Sequence, residues 1–143
     1  MELSTEILRP VRRGVIGVLS RGREFLMVQR SQSVALPGMW CFPGGHIEPN
    51  ETSRRAIIRE LAEELGVLVV PTRRLGAVRV ESTRYILAVW MVNHEGDEFR
   101  LAEKEVADLR WVRADEVAGI TPGLASNAKV ATMLQNMRST DSG

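Results

Sequence analysis

Three glutamates in one short stretch, Glu60, Glu63 and Glu64, are the residues of this chain best suited to chemistry. At the roughly 100° per residue of a helix, positions i, i+3 and i+4 share one face. Carboxylates placed there repel one another by about a few tenths of a kcal/mol per pair. A partner must offset that repulsion. Hard divalent cations ask for oxygen ligands at this spacing on a rigid support, with room left for water and a phosphate. Taken alone, Glu-x-x-Glu-Glu reads first as a solvated acidic face. The surrounding residues favour the site. Gly44 and Gly45 let the backbone pass close to a ligand. The loop that follows delivers its amides to the start of the helix, where anions are favoured. Glu51 stands at that positive end. Arg59 adjoins the acidic face and can pair with a loop carboxylate, fixing loop to helix.

The helix that must carry these groups spans residues 52–65. Ile58, Leu61, Ala62 and Leu65 fall at i, i+3, i+4 and i+7. Thr52 or Ser53 can cap its start, and Gly66 occupies the place of a left-handed C-terminal cap. Residues 14–20 and 25–29 read as a hairpin across the turn at 21–24. Residues 31–38 form a polar loop, 40–42 a short strand, and Pro43-Gly44-Gly45 breaks that strand and turns the chain. Residues 67–70, 75–80, 85–92 and 109–112 read as strands from their β-branched and aromatic content. Tyr85 and Trp90 sit in an apolar strand and read as core. A turn falls at 93–97 and a helical turn at 114–117. A terminal helix spans 124–138, with Val130, Ala131, Leu134 and Met137 on one face. Strands on both sides of a central helix give an α/β or α+β fold with a mixed sheet.

The spacing also carries a resemblance. Gly45, five residues, Glu51, seven residues, then Arg59-Glu60-Leu61-Ala62-Glu63-Glu64-Leu65-Gly66-Val67 resembles the complete signature of the Nudix hydrolases. Every fixed position matches. The resemblance implies an α/β/α sandwich over the whole chain, residues 1–143 as one domain. It implies a hydrolase, aided by Mg²⁺ or Mn²⁺, in which water attacks phosphorus in a nucleoside diphosphate linked to another group. By position, Glu60, Glu63 and Glu64 would be metal ligands, and Glu63 or Glu64, or a carboxylate outside the signature, the base. Glu51 and Arg59 would support them, and Gly45 would shape the loop. A further family carboxylate often follows the signature. Glu103 and Glu105 both suit that place, and we prefer Glu105.

For substrate, residues 39–45 resemble the lead-in of MutT-like nucleoside triphosphate pyrophosphatases. Trp40 and Phe42 could stack a base there, beside Gly44 and Gly45. Arg30, Arg79 and Arg84 are candidates for phosphate or base contact. The coenzyme A subgroup fits less well, because its arginine would fall near Ala35. The proline of many ADP-ribose enzymes is replaced by the segment at 81–83. The favoured substrate is therefore a (deoxy)nucleoside triphosphate, with an ADP-ribose or coenzyme A type dinucleotide as the alternative. A second class of reading is an inactive Nudix-fold module that binds nucleotide or RNA. The intact signature argues against it.

Composition sets the outer bounds. The chain has 143 residues, 44% hydrophobic and 26% charged, the balance of a globular domain. Its longest apolar run, 85–92, is far short of the roughly 20 residues of a membrane helix. Residues 1–6 lack the pattern of a secretory signal. The lone Cys41 cannot form an internal disulfide, which suits a reducing cytoplasm, and reads as a small buried thiol. A net charge of +1 gives no general pull toward nucleic acid or membrane, despite arginine pairs at 12–13, 54–55 and 73–74. A homodimer is the expectation by analogy with the family.

Overall fold

A computed structural model describes residues 11–80, 83–96 and 98–141. The expectations for residues 1–6 and for position 81 lie outside the described residues. Seven strands form one mixed sheet. β1 (Arg12–Arg21) and β2 (Glu24–Arg30) make the expected hairpin, turning at Gly22 with φ +61°. β3 (Trp40–Cys41), β4 (Gly44–His46), β5 (Val69–Arg79), β6 (Tyr85–His94) and β7 (Val106–Arg113) follow. The path is β3-β2-β1-β6-β5, with β4 on β1 and β7 on β2. Only the β1–β6 pairing is parallel.

β1 shows why this sheet is covered on both faces. Its alternate residues separate cleanly. Val15 and Leu19 pack with the central helix α1 (Ser53–Leu65). Ile16 and Val18 pack with the terminal helix α2 (Asn127–Asp141) and the 3₁₀ turn Ala114–Gly119. Gly17 faces α1, where a Cβ would strike Leu61 and Ile57. β2 and β6 divide in the same way, Leu26 and Val28 against Phe25 and Met27, Ala88 and Val92 against Val89. A strand buried on both faces reads as a continuous apolar run. The result is the α/β/α sandwich. Among the described residues no helix is long and apolar enough to cross a membrane.

Three local readings are corrected. The chain breaks and bends at Pro43 as expected, but Gly44 and Gly45 belong to a strand, Gly44–His46, antiparallel to β1. The two strands expected at 67–70 and 75–80 are one strand, β5, with register shifts at 71–73 and 74–76 that interrupt its alternation. The terminal helix begins at Asn127 rather than 124, because Leu124 and Asn127 both bond the Trp40 carbonyl.

Candidate active site

α1 is placed by its ends. Thr52 caps it, accepting the Arg55 amide at 3.1 Å. Trp90 Nε1 donates to Ser53 Oγ at 3.0 Å and pins the first turn to the sheet, so Trp90 is part of the support. Gly66 closes the helix at φ +62°, as expected. The buried face is not the expected one. Ile57, Leu61, Leu65 and Glu64 are buried, Ala62 is exposed and Ile58 only half-buried. The helix is rotated so that one carboxylate enters the protein.

Arg59 organises the acidic face. Its guanidinium grips Glu51 through two hydrogen bonds, at 2.8 and 2.9 Å. It also donates to Glu60 at 2.9 Å, Glu63 at 3.3 Å and the His46 carbonyl at 2.9 Å. The loop is thereby fixed to the helix, as the sequence suggested. Arg59, aided by the Glu48 amide, holds the Glu51 carboxyl down at about 2. In return Glu51 and Glu60 raise the Arg59 pKa.

The glycines explain the approach of β4. A Cβ on Gly44 would strike the Val15 carbonyl across the β1–β4 pairing, and one on Gly45 would strike the Glu60 carboxylate. The Gly44 amide donates to Glu64. Burial pushes the Glu64 carboxyl up to about 9, helped by the charge and hydrogen bond of Glu60 and by the charge of Glu105. Burial raises Glu60 as well. Both carboxyls are therefore raised, Glu64 the more deeply buried of the two. Glu63 stands at the rim, 54% exposed.

These groups line a cavity of about 1200 Å³. Glu60, Glu63, Glu64 and Glu105 border it, with Gly44, Gly45 and Arg30. Glu103 is not among its lining residues, so the structure separates the two candidates outside the signature. Among the described residues no group of three such side chains stands ready-made as an ion cage. The four glutamates share a cavity rather than a point, since Arg59 draws Glu60 and Glu63 toward itself.

Trp40 and Phe42 are both core residues, 9% and 3% exposed, packed with Val117, Ile120 and Val130. Trp40 does not border the cavity, so its reading as a stacking residue is corrected, whereas Phe42 is one of the lining residues. Trp40 serves instead through its carbonyl, which receives Leu124 and Asn127. Arg79 also stays off the cavity, donating to the Thr83 carbonyl. Cys41 is a buried thiol, pushed by burial up to about 11, which agrees with the small-thiol reading.

Other residues on the cavity were not found by sequence reasoning, or were read as core. Tyr85 is half-buried there, its hydroxyl 2.8 Å from His46 Nδ1. Its ring crosses β1 over Gly14, where a Cβ would strike it. Gly14, two residues along β1 from Arg12, the register partner of Tyr85, leaves the gap its ring fills. Arg12 joins them. Leu36, at φ +52°, lies 57% exposed on the rim. Nothing in its sequence context marked it.

The comparisons with known proteins agree with this geometry. The family model described as the NUDIX domain matches residues 8–134. The chain therefore belongs to the Nudix family, and its class is that of the Nudix hydrolases. It is 34% identical over 113 residues to a Mycobacterium tuberculosis protein named "Putative 8-oxo-dGTP diphosphatase 2", covering 71% of this chain and 80% of that one. It is 30% identical over 105 residues to the NAD-capped RNA hydrolase NudC of Mannheimia succiniciproducens, covering 71% of this chain and 39% of NudC. The chain thus spans well under half the length of that relative. In fold it is similar to the MutT protein of Methanosarcina mazei Go1, with a TM-score of 0.76 at 22% identity over 95% of this chain and 99% of that one.

Proposed function

We propose that this chain is a Mg²⁺- or Mn²⁺-dependent pyrophosphohydrolase that opens a phosphoanhydride of a (deoxy)nucleoside triphosphate. The observation that carries this reading is the buried Glu60–Glu64 pair, sharing a cavity with Glu105 and with Arg12, Arg30 and Arg84. The donor set fits a hard divalent ion. It is all oxygen, it lies beside the Gly44–Gly45 backbone, and burial raises both Glu60 and Glu64, a cost that a cation would relieve. Bound there, such an ion would neutralise charge developing on the phosphates and lower the pKa of an attacking water.

The protein's own groups do the rest. Glu60 and Glu64 would hold such an ion with Glu63 and Glu105. One of Glu63, Glu64 and Glu105 takes the proton of the attacking water. Arg59, tied to Glu51, orients Glu60 and Glu63. Arg30 is aimed by its own bond to the Ala35 carbonyl, at 2.6 Å, and can meet phosphate. The triphosphate is favoured because this chain covers 80% of the mycobacterial diphosphatase but only 39% of NudC. The NudC likeness supports a second reading, cleavage at an NAD-capped RNA end. It also removes the basis for excluding nucleic acid by net charge. A cytoplasmic site of action is supported by the free thiol of Cys41.

The test is a panel of nucleoside triphosphates, ADP-ribose, coenzyme A, NAD and NAD-capped RNA, each with Mg²⁺ and with EDTA. The reading expects monophosphate and pyrophosphate from a triphosphate, with Mg²⁺ only. Nucleotide binding without hydrolysis of any member would make the chain an inactive module.

A further inference from the structure

We propose that Ser31 is a positioning residue for Glu105, locking the glutamate outside the signature to the strand end that carries Arg30. The inference rests on the proposed role of Glu105 and deepens it. Ser31 follows β2 directly and is 5% exposed, one of few buried polar side chains among the described residues. Its hydroxyl donates to the Lys104 carbonyl at 2.6 Å and accepts the Ser33 amide at 3.2 Å. Its own amide donates to the Glu105 carbonyl at 3.0 Å. One residue therefore bonds the peptides on both sides of Glu105.

The sheet prepares this contact. β2 and β7 pair regularly from Glu24–Arg113 to Gln29–Asp108, and then the register shifts so that Arg30 meets Val106. Ala107 is the extra residue. A bulge of this kind re-aims the chain beside a site. From the other side, the Ala102 amide donates to the Glu64 carbonyl at 2.9 Å, and the Glu105 and Val106 amides both donate to the Ala102 carbonyl at 2.8 Å. Main-chain bonds thus run from Glu64 through Ala102 to Glu105 and on to Ser31. The Glu105 side chain is exposed and borders the cavity it shares with Glu64. An exposed glutamate loses side-chain entropy when it is held for chemistry. A backbone fixed on both its amide and its carbonyl confines that search to the side chain alone.

Ser31→Ala, Ser31→Thr and Glu105→Gln, with the Ser31→Ala/Glu105→Gln double variant, test this. Amide hydrogen exchange is read on the metal-free proteins, and kcat and KM on the best substrate of the panel. Ser31→Ala should speed exchange at Glu105 and Val106 by at least about tenfold. It should lower kcat by about tenfold at little changed KM, and add no further loss once Glu105 is Gln. Ser31→Thr, which keeps the hydroxyl, should restore both readouts. Unchanged exchange in Ser31→Ala would overturn the lock. A full kcat loss in the Glu105→Gln background would show that Ser31 acts elsewhere and would sink this proposal alone. Wild-type kcat in Glu105→Gln would end the role of Glu105 and, with it, that of Ser31. A wild type that hydrolyses nothing in the panel would end the hydrolase reading itself.

Discussion

Binding of a divalent ion should expel a proton from the Glu60–Glu64 pair, and the structure sets how much. Glu64 is buried against Glu60 and its carboxyl lies at about 9. At pH 7.5 such a group stays mostly protonated. A cation held by both carboxylates must displace that proton, so about one proton should leave per ion bound. The affinity should rise up to about tenfold per pH unit below pH 9 and then level off. The assay is calorimetric titration with Mn²⁺ at pH 7.5 in buffers of different ionisation enthalpy, whose slope counts protons. Glu64→Gln should abolish the release, because the amide has no proton to lose.

The same pair has a stability signature without metal. A carboxyl raised in the folded state favours folding while protonated. Its contribution is complete below the unfolded value, 4.5, and is lost progressively as pH climbs through about 9. Wild-type protein in EDTA should therefore lose stability over that window, and Glu64→Gln should flatten the loss. Mn²⁺ binding at pH 7.5 with no proton release would refute the buried proton on Glu64 and its displacement.

Other predictions follow from single contacts. Gly45→Ala would drive a methyl into the Glu60 carboxylate, so turnover should fall while circular dichroism stays that of the wild type. Gly44→Ala would strike the Val15 backbone and should instead lower the yield of folded protein. Arg59→Ala should cost about 1–3 kcal/mol, since its side chain is 25% exposed, but should lower turnover by about 10–100-fold, measured by urea unfolding beside kinetics. Leu61→Ala empties a fully buried position under β1 and should cost about 2–5 kcal/mol on the same unfolding curve.

What the sequence revealed follows physical rules of range. The helix caps at Thr52 and Gly66, and the pairing of Arg59 with Glu51, are local and were legible. The sheet's apolar runs were legible because both faces are buried. The rotation of α1 that buries Glu64 was not. Glu64 meets the Gly44 amide and the Glu105 charge, both from other elements, which helical period alone does not reveal. Trp40 misled because aromatic residues beside a glycine-rich strand suit core and site equally, and only the α2 side of the sheet decides. Glu105, which the sequence reading preferred, borders the cavity and Glu103 does not, and the β7 bulge beside it is not visible in two exposed glutamates one residue apart. Leu36 and Tyr85 reach the cavity through a left-handed backbone and a Gly14 gap, both set by distant chain.

The most direct test of the account pairs turnover in Mg²⁺ with thermal unfolding in EDTA for Glu63→Gln and Glu64→Gln. Each substitution keeps shape; Glu63→Gln removes a charge from the acidic face, and Glu64→Gln puts an amide that cannot ionise in place of the buried carboxyl. If those carboxylates hold a metal for phosphoanhydride hydrolysis, each variant should lose several orders of magnitude in turnover. Metal-free stability should hold or rise, because mutual repulsion falls. Variants that unfold easily yet hydrolyse at the wild-type rate would show the acidic face to be structural, and would contradict the account.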